Sequence, residues 1–196
     1  MATHTIRVVC VAVCMFVVVL VLPHHAFAGS MPRGVPRIRV ESRYLRAELA
    51  QVIDRSPTLR TIVRQIEESD VIVYVTCERF ASVTLEGRTA WSSASPDARY
   101  LRVQIDCMLG QQRLVAILGH ELQHVAEIAA AKDVVDKQSF ARLFRSIGYS
   151  CGVTWAEEFE TDQAIDAGER VRREYLYGWP VGARVVANTR GGVPLQ

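Results

Sequence analysis

The sequence predicts an α+β fold, in which a short mixed sheet packs on one long apolar helix and on a second helix that carries a glutamate. Three observations predict it. Leu114 to Ile128 is an apolar-periodic run without proline, which reads as a buried helix. Val71-Ile72-Val73-Tyr74-Val75-Thr76 is β-branched and nearly all apolar, the pattern of a strand buried on both faces. Leu101, Val103 and Ile105 alternate with Arg102, Gln104 and Asp106, the pattern of a half-buried strand leading into the long helix.

Residues 1–28 read as a secretory signal: Arg7, an apolar run from Val8 to Leu22, Pro23, and Ala26-Phe27-Ala28 as a cleavage site before Gly29. The run is shorter than the roughly 20 residues of a membrane span, so a membrane-anchored protein is expected only if the segment stays uncleaved. The expected location is secreted or periplasmic. Residues 29–38 contain Pro and Gly and predict a mobile leader, residues 39–177 a single domain, and the Gly- and Pro-rich residues 178–196 an irregular tail.

Within the domain, residues 40–54 place Leu45, Leu49, Val52 and Ile53 on one side of a helix. Ser56-Pro57 supplies an N-cap and a first-turn proline for a second helix to about Ser69. After the first strand, residues 82–91 alternate around Val83 and Leu85, with Gly87 as a bend, and Ser92 to Asp97 reads as a loop. Gly110 opens the long helix, which runs to about Ala131. Phe140, Leu143, Phe144 and Ile147 mark a short helix over 138–147 that Gly148 ends. A loop through Cys151-Gly152 leads to a last helix over about 154–176.

Lys+Arg number 23 against 21 Asp+Glu, a net charge of +2, and the basic residues are scattered among acids, so nucleic acid is not expected as a partner. Cys10 and Cys14 leave with the signal. Cys77, Cys107 and Cys151 remain; Cys77 and Cys107 both end expected strands and are the favoured disulfide, with three buried free thiols as the alternative.

The long helix contains His120-Glu121-Leu122-Gln123-His124, an HExxH pattern. Histidines four apart share one helix face, so both imidazoles can reach one metal ion, while Glu121 lies about 100° round the helix, where a general base for water belongs. His4, His24 and His25 fall in the signal, so the motif holds the two histidines of the remaining chain. The plain alternative is a pair of surface histidines. With no third histidine, a third ligand has to be a carboxylate or a cysteine. On the last helix Ala156, Glu160, Ala164, Ala167 and Val171 form a stripe of small residues suited to close packing, opposite Asp162, Asp166, Glu169 and Arg173. Glu160 is thus a carboxylate on the buried face, in need of a metal or an arginine partner. Glu157 at the edge of the stripe is a candidate support. Glu127 shares the histidine face but lies about 10.5 Å along the axis from His120, which suits a residue that lines the cleft or bonds a ligand, or a plain surface glutamate.

This pattern, a downstream glutamate and the order of elements resemble the gluzincin class of zinc metallopeptidases over roughly residues 70–176, with a small zincin-like core. The resemblance implies a Zn2+ cofactor, a peptide or protein substrate, hydrolysis by a water activated at the metal with Glu121 as base, and an edge strand that pairs the substrate. Gluzincins ordinarily carry a Glu-x-x-x-Asp ligand helix, matched by Glu158-x-x-x-Asp162, which makes Glu158 the alternative to Glu160. Thermolysin-like members also use a separate histidine to steady the intermediate; here Tyr149, Tyr175 or an arginine would substitute. A catalytically inactive zincin-like domain with a binding or structural role in the cell envelope is the other reading.

Overall fold

The computed structural model describes residues 36–82, 84–150 and 159–178. Among them lie five helices, a four-stranded mixed sheet and a two-stranded antiparallel pair, an α+β architecture. The expected signal, most of the expected leader and all but Gly178 of the expected tail lie outside the described residues. No helix among the described residues is long and apolar enough to cross a membrane.

Strand β1 (Ile38–Val40) pairs in parallel with β2 (Val71–Glu78), and helices α1 (Arg43–Arg55) and α2 (Pro57–Glu67) lie between them in sequence. β3 (Gly87–Ser95) and β4 (Ala98–Asp106) form an antiparallel hairpin, and the sheet order is β1-β2-β4-β3, with β4 parallel to β2. Helix α3 (Gln111–Ala130) follows, then α4 (Lys137–Ile147), the short strands β5 (Tyr149–Ser150) and β6 (Phe159–Glu160), and helix α5 (Asp162–Tyr177).

Val73, Val75, Leu101, Val103 and Ile105 are fully buried on the helix-covered face of the sheet, in register as Val73↔Leu101 and Val75↔Val103. Leu114, Leu118, Leu122, Val125 and Ile128 of α3 meet them, each also fully buried. Such a side chain contributes roughly 1.5–3 kcal/mol on burial, so this seam is the main apolar stabilisation of α3 on the sheet. The other face is polar and partly open: Arg88 donates to Gln104, whose amide donates to Glu78. β2 is therefore buried on both faces only at its start, through Val71, Ile72 and Val73, and opens at Tyr74 and Thr76. The expected Cys77–Cys107 disulfide is present and ties the ends of the parallel neighbours β2 and β4. A closed loop of this length, with a sequence separation of 30, stabilises by roughly 3–4 kcal/mol in the chain-entropy account.

Four expectations need correction. The chain just before α1 is strand, not leader or helix: Arg37 and Ile38 donate their backbone N–H groups to Glu67, and Ser42 caps a helix that begins at Arg43. A three-residue strand is too short to show a period. β3 continues through the Ser-rich stretch expected to be a loop, because this arm of the hairpin is solvent-facing and needs no apolar residues. Gly87 starts that strand instead of bending the chain. The last helix begins at Asp162, with Thr161 as its N-cap, so Glu160 stands in β6 and not on a helix; Ala156 lies outside the described residues.

The end of α3 is closed by Arg99, buried at the start of β4. Its guanidinium donates to the carbonyls of Ile128, Ala129 and Ala131 and pairs with both oxygens of Asp70. A cation at a helix C-terminus satisfies the orphan carbonyls and suits the helix dipole. The bonds from Arg99 hold the Asp70 carboxyl well below the usual carboxylate range; burial opposes this and Lys132 adds to it. A depressed folded pKa means that the pair stabilises above the ordinary value of 3.8 and is lost as pH falls below it. Denaturant unfolding of wild type and Asp70→Asn should give midpoints well separated at about pH 7 that converge towards about pH 2. A gap that stays constant into acid would contradict this role of the pair.

Candidate metal centre

His120 and His124 lie one turn apart on α3, with ring centroids 4.8 Å apart and planes at 85°. Their Nε2 atoms stand 3.1 and 3.2 Å from the same oxygen, Oε1 of Glu160. All three donor atoms fall within 4.8 Å of one another. A tetrahedral ion with bonds near 2.0–2.1 Å holds its donors roughly 3.3 Å apart. Both Nε2–Oε1 distances match this spacing, and the group His120, His124 and Glu160 could hold a metal ion.

Glu160 reaches the histidines because α5 crosses α3 at very short range. A Cβ on Gly119 would lie 2.9 Å from Val171, and one on Gly168 would lie 2.8 Å from the Ala116 carbonyl and 3.2 Å from His120 Cβ. Only glycine permits this approach. The expected small-residue face of α5 is present in Ala164, Ala167 and Val171, all buried. It brings the N-terminus of α5, and with it β6, to the motif. Helix phase thus singled out a residue that joins the cluster, although no helix passes through it.

Glu121 points to the sheet edge. It is buried, and Thr89 Oγ1 on β3 lies 2.7 Å from its Oε2 and 3.2 Å from its carbonyl oxygen. Gly87 leaves the room, since a Cβ there would sit 2.6 Å from Glu121 Oε1 and from Ile117. Burial pushes the Glu121 carboxyl up, against the opposing pull of both histidines and the Thr89 bond. Neither Gly87 nor Thr89 was marked by the sequence as part of a site.

His124 is enclosed. Its Nδ1 lies 3.0 Å from Glu127 Oε2, and its ring meets Phe144 of α4 edge-on at 5.3 Å. Burial opposes charge on this ring, but the bonds to Glu127 and Glu160 hold its pKa up at about 9. Burial likewise works against charge on Glu160, yet its bonds to the two histidines bring its carboxyl down to about 2. Glu127 is not a surface glutamate: it is buried and, as one of the expected roles had it, bonds a candidate ligand, the His124 ring.

Of the other expected residues, Glu157, Glu158 and Cys151 lie outside the described residues. Tyr175 is buried at a different place, where Gln111 donates to its hydroxyl, and does not join the cluster. Tyr149 pairs directly with Glu160 in the β5–β6 ladder. A groove of about 400 Å³ between α2, α3 and α5, lined by Gln65, Glu68, Gln123, Lys132 and Gln163, lies round α3 from the histidine face and meets the centre only at Glu127. Comparison with models of protein families, with curated proteins and with solved structures finds no match.

Purified protein reconstituted with metal should carry one ion per chain by elemental analysis. Glu160→Ala and His124→Ala should lose it, and Glu158→Ala should keep it. Stoichiometric metal surviving in Glu160→Ala would exclude that residue as a ligand.

Proposed function

We propose that this chain is a zinc-dependent metallopeptidase of the secreted or periplasmic space that acts on peptide or protein substrates. The observation that carries this reading is the buried carboxylate of Glu121, held by Thr89 beside the three converging donors. Two imidazoles and one carboxylate suit zinc. Zinc bound there would supply Lewis-acid activation of water and of the scissile carbonyl.

The protein's own groups account for the rest. Glu121 takes a proton from the attacking water and passes it to the leaving amine, and its raised pKa favours holding that proton in between. Thr89 occupies one carboxylate oxygen, so the other carries the proton. β3 is the last strand of the sheet, and its outer edge has no partner among the described residues. An extended substrate can pair there by strand addition beside Glu121, as the zincin resemblance implies. Tyr149 faces the same side of its ladder as Glu160 and is half exposed, which supports it as the donor to the developing oxyanion. The Cys77–Cys107 disulfide suits an oxidising compartment and supports export.

Hydrolysis of fluorescent casein by the metal-loaded protein tests the reading. Glu121→Gln should lower it by at least about 100-fold with the metal content unchanged. Tyr149→Phe should lower kcat by about 10- to 100-fold, also without loss of metal. A metal-loaded wild type that cleaves no more than Glu121→Gln would leave a zincin-like binding or structural domain in its place.

A further inference from the structure

Glu127 and Thr161 belong to neither the motif nor the donor set, yet both are buried and both touch it. Thr161 Oγ1 accepts the N–H of Ala164 at 3.1 Å, as the N-cap of α5. Its single hydroxyl proton goes to Glu127 Oε1, 2.8 Å away. The other oxygen of Glu127 faces His124 Nδ1 at 3.0 Å. The backbone N–H of Thr161 meanwhile donates to Glu160 Oε1 at 3.1 Å.

The direction of each bond follows from the one before it. An amide N–H can only donate, so the Thr161 oxygen accepts there and donates to Glu127. Glu127 accepts on one oxygen and, as a carboxylate, accepts from Nδ1–H on the other. When the ring gives up its second proton, as a metal ligand must, the proton it keeps is on Nδ1, and the lone pair of Nε2 is then turned towards Glu160 and His120. Glu127 cannot itself be a ligand to the same ion, because it bonds the opposite side of the His124 ring from Glu160.

We propose that Glu127 and Thr161 are positioning residues of the metal centre: Glu127 fixes the tautomer and orientation of His124, and Thr161 fixes Glu127 and Glu160 together. This rests on the reading that His120, His124 and Glu160 hold a metal ion, and it does not depend on hydrolysis. A carboxylate that accepts the second N–H of a ligating histidine raises the basicity of the ring, and loss of such a partner costs about 10- to 100-fold in metal affinity. Thr161 makes the device economical, since one residue starts α5, orients the third donor and holds the carboxylate behind the second.

The test uses zinc alone, with competition against a chromophoric chelator. Wild type, Glu127→Gln, Thr161→Val and Thr161→Ser are compared, and denaturant unfolding of each metal-free protein is run beside them. Glu127→Gln should weaken zinc binding by about 10- to 100-fold. Thr161→Val should weaken it by about tenfold, and Thr161→Ser, which keeps the hydroxyl, should bind like wild type. In cobalt-substituted protein the visible absorption bands should shift in Glu127→Gln and match wild type in Thr161→Ser. Zinc affinities unchanged in Glu127→Gln and Thr161→Val, with only the metal-free stability lowered, would make the pair structural and overturn the proposal while leaving the metal site standing. If Glu127→Gln does not fold, Thr161→Val against Thr161→Ser decides on the same readout. A wild type that binds no zinc overturns both the site and this role.

Discussion

Helix α3 has to be buried on nearly every side and still carry, beyond the exposed Arg113 of its first turn, the ionisable side chains of His120, Glu121, His124 and Glu127. A buried charge without partners costs several kcal/mol, enough to remove much of the stability of a small domain. The surrounding structure can be understood as the set of groups that make this tolerable. β3 brings Thr89 to Glu121, β6 brings Glu160 to both histidines, and Thr161 reaches Glu127. No buried side-chain polar atom among the described residues is left without a partner. The apolar half of the same helix, from Leu114 to Ile128, anchors it on the sheet and leaves these polar groups little freedom to relax.

The same logic recurs away from the centre. Glu174, buried near the end of α5, accepts from the Ser56 and Thr58 hydroxyls and from Thr58 N at the start of α2. A carboxylate at a helix N-terminus satisfies orphan donors and suits the dipole. Arg99 does the complementary thing at the C-terminus of α3. One charge thus docks α5 on α2 and another docks α3 on β4, so α5 is pinned at the end remote from the centre and α3 at the end just beyond Glu127. Pinning matters because Glu160 sits on a two-residue strand, which has little rigidity of its own.

Much of this was legible in the chain. The HExxH pair, the strands around Val73 and Leu101 and the Cys77–Cys107 bridge each leave a local signature, of period, spacing or composition. The rest is a matter of contact between distant segments. β1 has too few residues for a pattern, and the outer half of β3 is polar because its arm is wet. Glu160 was singled out by helix phase although no helix passes through it; Thr161 followed by an acidic residue is the capping signal that places the helix start one residue later. Glu127 was set aside as a metal ligand because of its distance along the axis from His120, and was kept as a residue that lines the cleft or bonds a ligand. That distance excludes it as a shared ligand and says nothing against bonding the far nitrogen of His124. Thr89 and Gly87 had no signal at all, since an edge-strand threonine and a strand-opening glycine are ordinary residues until a helix carboxylate is laid against them.

That arrangement has a consequence for the proposed chemistry. β3 both holds Glu121, the proposed base, through Thr89 and the space at Gly87, and offers an outer edge, without a partner among the described residues, on which an extended substrate would pair. A chain added to that edge would form main-chain bonds to the strand that fixes Glu121, and would stiffen it at the moment the base is needed. Substrate binding and base orientation then share one mechanical element, so a poorly paired substrate would be penalised in turnover as well as in affinity. The fully buried seam between β4 and α3 holds the helix on the sheet, so a chain paired on β3 would act on Glu121 through Thr89.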